Sequence, residues 1–298
     1  MMCLVDGSVA SGAPHVGVET AIVLDPSGLR AFAVSTPTRP YGSLAAGVVG
    51  PVRLVGTRPA VVWALARRRC GLAGGATVVA VMDVRRAAER YPGGDSAAGI
   101  ESRHAFSFGP HYDPGNLRFG AMIACNEERL GPGAGFDEHP HSHTEIVTWV
   151  VEGELTHRDS TGHETRVRPG DVQRLSSAGG VRHVERNDAD TPLTFIQTWL
   201  APLTPGGDPS YEIVHGIADS TPYAVPEAGA MLHVRRLAAG ERTAVPDAAY
   251  VYVHVVRGEV SLGGEELGAG DAVRITDAKD VEAVGVSGAE LLVWEMAG

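Results

Sequence analysis

The chain has 298 residues, 44% of them hydrophobic, with 36 acidic against 25 basic side chains and a formal net charge of −11. That length accommodates two domains with cores of their own, and the negative balance excludes electrostatic binding to nucleic acid or an anionic membrane. Three cysteines, Cys3, Cys70 and Cys125, are too few and too scattered for a disulfide framework or a thiolate metal site, and suit a cytoplasmic protein.

Residues 1–80 hold three acids and seven arginines and follow neither a period of 2 nor one of 3.6. No basic segment precedes an apolar core as in a signal peptide, and the best apolar run, 59–66, stops at Arg67-Arg68-Arg69, short of a membrane span. Residues 1–81 therefore read as a poorly structured extension or a mis-assigned start, with Met82 as the natural beginning.

From about residue 100 onward, short alternating runs cut by turns predict strands at 145–151, 154–157, 165–168, 194–199, 250–256 and 291–294. No long amphipathic helix interrupts them, so the chain is expected to be all-β. A weak internal repeat supports two tandem units: Val150-Val151-Glu152-Gly153-Glu154-Leu155 echoes Val255-Val256-Arg257-Gly258-Glu259-Val260. Each copy runs on into a hairpin and a Gly-Asp turn, Gly170-Asp171 and Gly270-Asp271. With a Pro/Gly-rich linker at 202–209, this predicts two closed β-barrels, over 82–202 and 203–298.

The first unit carries a cluster of metal-ligand residue types. In Asp137-Glu138-His139-Pro140-His141-Ser142-His143-Thr144-Glu145, alternation puts 139, 141, 143 and 145 on one face of an extended strand, and Pro140 forbids a helix. His183-Val184-Glu185 offers a second pair at the same period some 40 residues on. Imidazoles with a carboxylate suit a borderline divalent ion with open positions, and strand phase allows either Glu145 or Glu185 as the carboxylate. The second unit is a negative control: positions counted from Gly258 and Asp271 fall on Ala244, Pro246, Tyr250, Ala283 and Gly285, none of which ligates.

The spacing Gly133-x5-His139-x-His141-x3-Glu145 and Gly180-x2-His183-x3-Asn187 resembles the cupin pattern. His139-Pro140-His141, His157-x-Asp159-Ser160-x-Gly162, Pro169-Gly170-Asp171-Val172-Gln173 and His183-x-Glu185, with Ser102-Arg103-His104 and Tyr112-Asp113-Pro114 upstream, resemble the pirin family. The likeness runs from about Met82 to the C-terminus and implies two tandem cupin barrels, the first binding metal and the second degenerate. It implies one divalent ion, Fe(II) first with Mn, Ni, Cu or Zn as alternatives, held by His139, His141, His183 and Glu185. Glu145 is implied to stand behind that set. The sequence departs from the family at His143, at Val184 and at Arg174. His143 would share the ligand face at the barrel mouth.

The resemblance further implies a quercetin 2,3-dioxygenase activity, in which O2 opens a flavonol ring with release of carbon monoxide. Glu185, or Glu145 if it points inward, would then accept the substrate's 3-hydroxyl proton. The expected partners are a small aromatic substrate and O2, with no nucleic acid or membrane, and the protein is expected to be a monomer. The alternative is a non-enzymatic iron-binding regulator that docks on a protein partner. His104, His111, His157 and His163 are read as loop or hairpin residues outside the site, and Cys125 as a buried apolar residue.

Overall fold

The computed structural model describes residues 80–298, together with the backbones of four short strands upstream: β1 (Val18–Leu24), β2 (Ala31–Pro37), β3 (Val52–Arg53) and β4 (Val61–Val62). β1 pairs antiparallel with β2, and β3 with β4. The expectation for an extension over 1–81 otherwise lies outside the described residues.

Alternating runs bounded by Gly, Pro and Asp become β5 (Val81–Arg85), β6 (Tyr91–Gly93), β7 (Ile100–His104), β8 (Met122–Leu130), β9 (Gly135–His141) and β10 (Glu145–Glu152). Then follow β11 (Leu155–Asp159), β12 (Glu164–Val167), β13 (Val172–Ser176), β14 (Val181–Arg186), β15 (Leu193–Leu200) and β16 (Ser210–Val214). The chain continues through β17 (Pro222–Val225), β18 (Ala230–Leu237), β19 (Arg242–Ala244), β20 (Tyr250–Arg257) and β21 (Val260–Leu262). It ends in β22 (Glu265–Leu267), β23 (Ala272–Thr276), β24 (Glu282–Gly285) and β25 (Ala289–Met296). Three 3-10 turns are the helical content among the described residues, so the all-β, two-barrel expectation holds.

In the first barrel a sheet ordered β16-β13-β10-β15-β8-β7-β6 is paired with a smaller one ordered β12-β11-β14-β9; the second barrel repeats this with β17-β18-β25-β20-β23-β5 and β19-β24-β21-β22. The barrels exchange edge strands. β5 pairs with β23 of the second barrel, and β16, beyond the linker, pairs with β13 of the first. The internal repeat is visible in the register, because β10 shifts against β15 between Val150 and Glu152, and β20 shifts against β25 between Val255 and Arg257. Gly153 and Gly258 close the equivalent turns at φ +82° and +76°, where a Cβ would lie 2.5 Å from the Pro192 carbonyl oxygen and 2.1 Å from that of Gly288.

Strand alternation sends β10 residues Val147 and Trp149 outward, while Ile146, Thr148 and Val150 face the first barrel's interior. Outward residues of both barrels form one shared core: Val147, Trp149, Val172 and Ile196 meet Tyr252, Leu292 and Trp294. At roughly 1.5–3 kcal/mol per fully buried apolar side chain, this contact is a major share of the fold's stability. The second barrel's interior is apolar, built on Val251, Val253, Val255, Leu262, Ile275 and Val293. The first is lined partly by polar groups, and there the site lies.

Candidate metal centre

The small sheet of the first barrel brings His139, His141 and His183 into one donor group, while Glu185 falls in a second group with His183 and His157. β9 and β14 pair antiparallel with His139 directly opposite His183 and His141 opposite Val181. A register shift follows between His183 and Glu185. The three imidazoles converge, with ring centroids 4.4 Å apart for His139 and His183, and 4.9 Å for His141 with each of the other two. Their donor nitrogens all lie within 4.8 Å of one another.

β11 adds His157, expected from the sequence to lie outside the site. His157 is fully buried, pairs across the sheet with Glu185, and forms a second donor group with His183 and Glu185 inside the same 4.8 Å limit. Its Nε2 meets the Asp159 carboxylate at 3.1 Å. Asp159 also accepts from the Thr161 amide and hydroxyl; burial works against its charge, but these bonds outweigh it and hold its carboxyl at about 2. The readable signal was parity. Arg158 is exposed on β11, so its neighbour His157 faces the interior.

Glu145 lies elsewhere. The expected continuous face over 139–145 is broken because β9 ends at His141, and β10 begins at Glu145 in the opposite sheet. Between them His143 adopts φ 54°, is exposed, and donates its amide to the Ala178 carbonyl at 2.8 Å, so it does not share a strand face with the ligands. Glu145 has the phase of Val147 and Trp149, which face the second barrel, and is joined to neither donor group. It accepts from the Ser176 hydroxyl at 2.7 Å and lies 3.9 Å from the Arg174 guanidinium; burial pushes its carboxyl up. Arg174 is tied more closely to Glu227, at 2.5 Å, which links the two barrels.

His139 Nδ1 donates to the Asp137 carbonyl at 2.7 Å, which leaves Nε2 as the lone-pair nitrogen. His141 Nε2 and both ring nitrogens of His183 are buried and meet no hydrogen-bond partner in the protein. Burial, with neighbouring imidazoles adding to it, lowers His141 to about 4 and His183 to about 3, so both are neutral lone-pair donors at physiological pH. Buried, unpartnered imidazole nitrogens beside a carboxylate are costly unless they bind something, and a borderline divalent metal fits them. Among the described residues both donor groups lie in the first barrel. In the second barrel Leu262 stands where His157 stands in the first, and its ladder partner Ala283 takes the place of Glu185.

Glu185 is held by Gln197, whose amide nitrogen donates to its two carboxylate oxygens at 2.8 and 2.9 Å. Trp199 packs edge-on to His141 at 4.9 Å. Beside it Ile146, Leu175 and Val181 form an apolar wall with Trp199 and Tyr211. A pocket of about 350 Å³ opens next to the histidines, lined by Pro140, His141, Ser142, Ser160, Gly180, Val181 and Arg182. Cys125 is buried in the shared core and His111 stacks on Tyr91 as a loop residue, whereas His104, expected in a loop, ends β7 as a buried strand residue stacked on Phe108. Asn187 is structural, its amide bonded to the Leu130, Gly131 and Thr191 carbonyls.

Residues 83–200 match the Pirin family, and residues 227–296 match the family described as quercetinase C-terminal cupin domain. A Mycobacterium tuberculosis protein provisionally named a quercetin 2,3-dioxygenase is 38% identical over 237 residues, covering 74% of this chain and 96% of that protein. The Escherichia coli K12 protein named quercetin 2,3-dioxygenase is 32% identical over 227 residues, covering 72% and 97%. The crystal structure of the E. coli bacterial pirin YhhW in complex with nickel(II) aligns with a TM-score of 0.67 at 29% identity, covering 73% of this chain and 99% of that one. No helix among the described residues is long and apolar enough to cross a membrane. With both barrels matched in order by family, and relatives at 38% and 32% identity matched over 96% and 97% of their length, the chain belongs to the pirin family.

Proposed function

We propose that this protein is a metal-dependent dioxygenase of the quercetin 2,3-dioxygenase kind, with one divalent ion held by His139, His141, His183 and Glu185. The observation that carries the reading is the convergence of three imidazoles, with buried nitrogens lacking protein partners, beside a carboxylate. The names of full-length relatives support the reaction class. Fe(II) is the proposed ion; the same donor set also suits nickel, which a relative contains, and Mn, Cu or Zn.

When bound, the metal would supply a Lewis acid that lowers the pKa of a phenolic hydroxyl and a place for O2 beside it. The protein's own part follows from the geometry. The pocket beside His141, whose lining reaches Val181 at the edge of the apolar cluster, is the proposed entry for an aromatic ring. Glu185 is the carboxylate placed to take the hydroxyl proton, since Glu145 lies on the outer face of the opposite sheet. Gln197 and His157 flank Glu185, and Asp159 steadies His157.

The test is to load the purified protein with Fe, Mn, Ni or Cu, add quercetin and O2, and follow flavonol loss with carbon monoxide release. Turnover that depends on metal and vanishes in His183→Ala is expected. No turnover with any metal refutes the reaction. A His139→Ala/His141→Ala double variant that still retains stoichiometric metal refutes the ligand assignment.

A further inference from the structure

Gln197 and Trp199 stand two residues apart on β15, and each touches one proposed ligand. Gln197 donates to both oxygens of Glu185, and Trp199 packs edge-on to His141. A third contact joins them, for the Trp199 Nε1–H donates to Gln197 Oε1 at 2.8 Å. This bond decides the direction of the amide. An indole N–H can only donate, so it pins the oxygen end of Gln197 to Trp199 and leaves the NH2 end, which can only donate, against Glu185. The flipped amide would set its oxygen against the carboxylate and its NH2 against another donor. Each carboxylate oxygen that accepts one N–H keeps a lone pair, so this hydrogen bonding is compatible with metal ligation. The indole also packs edge-on against Phe108 at 5.1 Å.

We infer that Gln197, oriented by Trp199, is the positioning residue that aims the Glu185 carboxylate at the metal, and that Trp199 couples that carboxylate to His141. The inference rests on the ligand assignment proposed above. It makes a chain of β15, which belongs to the large sheet, the frame against which a ligand of the small sheet is set. A ligand pair separated by a register shift on β14 thereby gains a support from outside its own strand. Ligating carboxylates are sensitive to such partners, whose loss typically weakens metal binding about 10- to 100-fold.

Two variants and one probe test it. Gln197→Met keeps the side chain's length and removes both amide ends, whereas Trp199→Phe keeps one aromatic ring beside His141 and removes the N–H together with the second ring of the indole. Metal-free wild type and both variants are titrated with nickel(II) against a competing chelator, and the ligand-field spectrum of each loaded protein is recorded. Wild type should bind one nickel per chain. Gln197→Met should weaken nickel about 10- to 100-fold and shift the ligand-field bands. Trp199→Phe should give a smaller loss, about fivefold, with a shift in the same direction. Gln197→Met that binds nickel with wild-type affinity and spectrum overturns the positioning role and leaves the ligand assignment intact, even if it melts at a lower temperature. If Gln197→Met does not fold, Trp199→Phe decides on the same two readouts. Wild type that takes up no nickel overturns the ligand assignment and this inference with it.

Discussion

Glu128 offers a sharp test of the first barrel's electrostatics. It lies on the inner face of β8, 5% exposed, paired across the ladder with Ser102, whose hydroxyl donates to its carboxylate. Burial, with the Glu185 and Glu127 charges adding to it and the Ser102 bond opposing, raises its pKa from 4.5 to about 8. The folded chain therefore keeps a proton that the unfolded chain releases above pH 4.5. Stability is unaffected below the unfolded pKa and falls as pH rises through the window from 4.5 to about 8. At pH 7 the loss is about 2.5 pH units at roughly 1.4 kcal/mol each, or ~3 kcal/mol. Glu128→Gln removes the ionisation and keeps an oxygen for the Ser102 hydroxyl. It adds an amide donor whose incomplete pairing costs about 1 kcal/mol. Metal-free Glu128→Gln should thus match or fall slightly below wild type at pH 5, and exceed it by ~2 kcal/mol at pH 7 and more at pH 8. Urea unfolding at these pH values, with chelator present, gives the difference directly. A difference that stays constant from pH 5 to 8, or that grows toward acid, refutes the burial argument.

Two further outcomes follow from the same geometry. His141 and His183, held at about 4 and 3 by burial, stay neutral in the folded metal-free protein where an unfolded histidine takes a proton below pH 6.5. Stability should therefore fall as pH drops from 6.5 toward 4, each histidine adding a slope of about 1.4 kcal/mol per pH unit. A His141→Gln/His183→Gln variant should lose that part of the acid slope in urea titrations; an unchanged slope refutes it. Trp149→Phe removes the indole N–H that reaches across the barrel contact to Glu290 at 3.0 Å. It should destabilise the protein by about 1–3 kcal/mol in urea while leaving nickel stoichiometry unchanged.

Much of the fold was legible because its signals are local. Alternation from β10 to β15, the turn glycines and the echo of Val150–Leu155 in Val255–Val260 needed no knowledge of partners. The His139–His141 and His183–Glu185 pairs were legible for the same reason, since two residues apart on a strand means one face. What failed depended on where strands stop and what they meet. Nothing in Ser142-His143-Thr144 announces that the chain crosses from one sheet to the other there, so Glu145 read as facing the ligands when it faces the second barrel. His157 was set aside because it borders a hairpin, although the exposed Arg158 beside it fixes its inward phase. The exchange of β5 was not legible at all. Its partner β23 lies nearly 190 residues further along, and edge pairing between such distant segments is selected by the assembled sheet rather than by either segment.

The two barrels share a plan but not a polarity, and that difference explains why the ligand-free copy is retained in the architecture. The first barrel's interior contains His104, Asn126, His141, Gln173 and His183, all with buried polar atoms that meet no protein partner. Each such atom costs on the order of 1–3 kcal/mol when nothing satisfies it. A barrel of that kind is poorly placed to hold itself together. The second barrel has valine, leucine and isoleucine where the first has histidine and glutamine, and its outer sheet covers the first barrel's outer sheet with Tyr252, Leu292 and Trp294. Strand exchange through β5 and β16 ties the copies further, since neither sheet keeps all its strands if the barrels part. On this reasoning the apolar copy stabilises a polar neighbour whose donor groups must stay unpaired with protein in order to bind a metal.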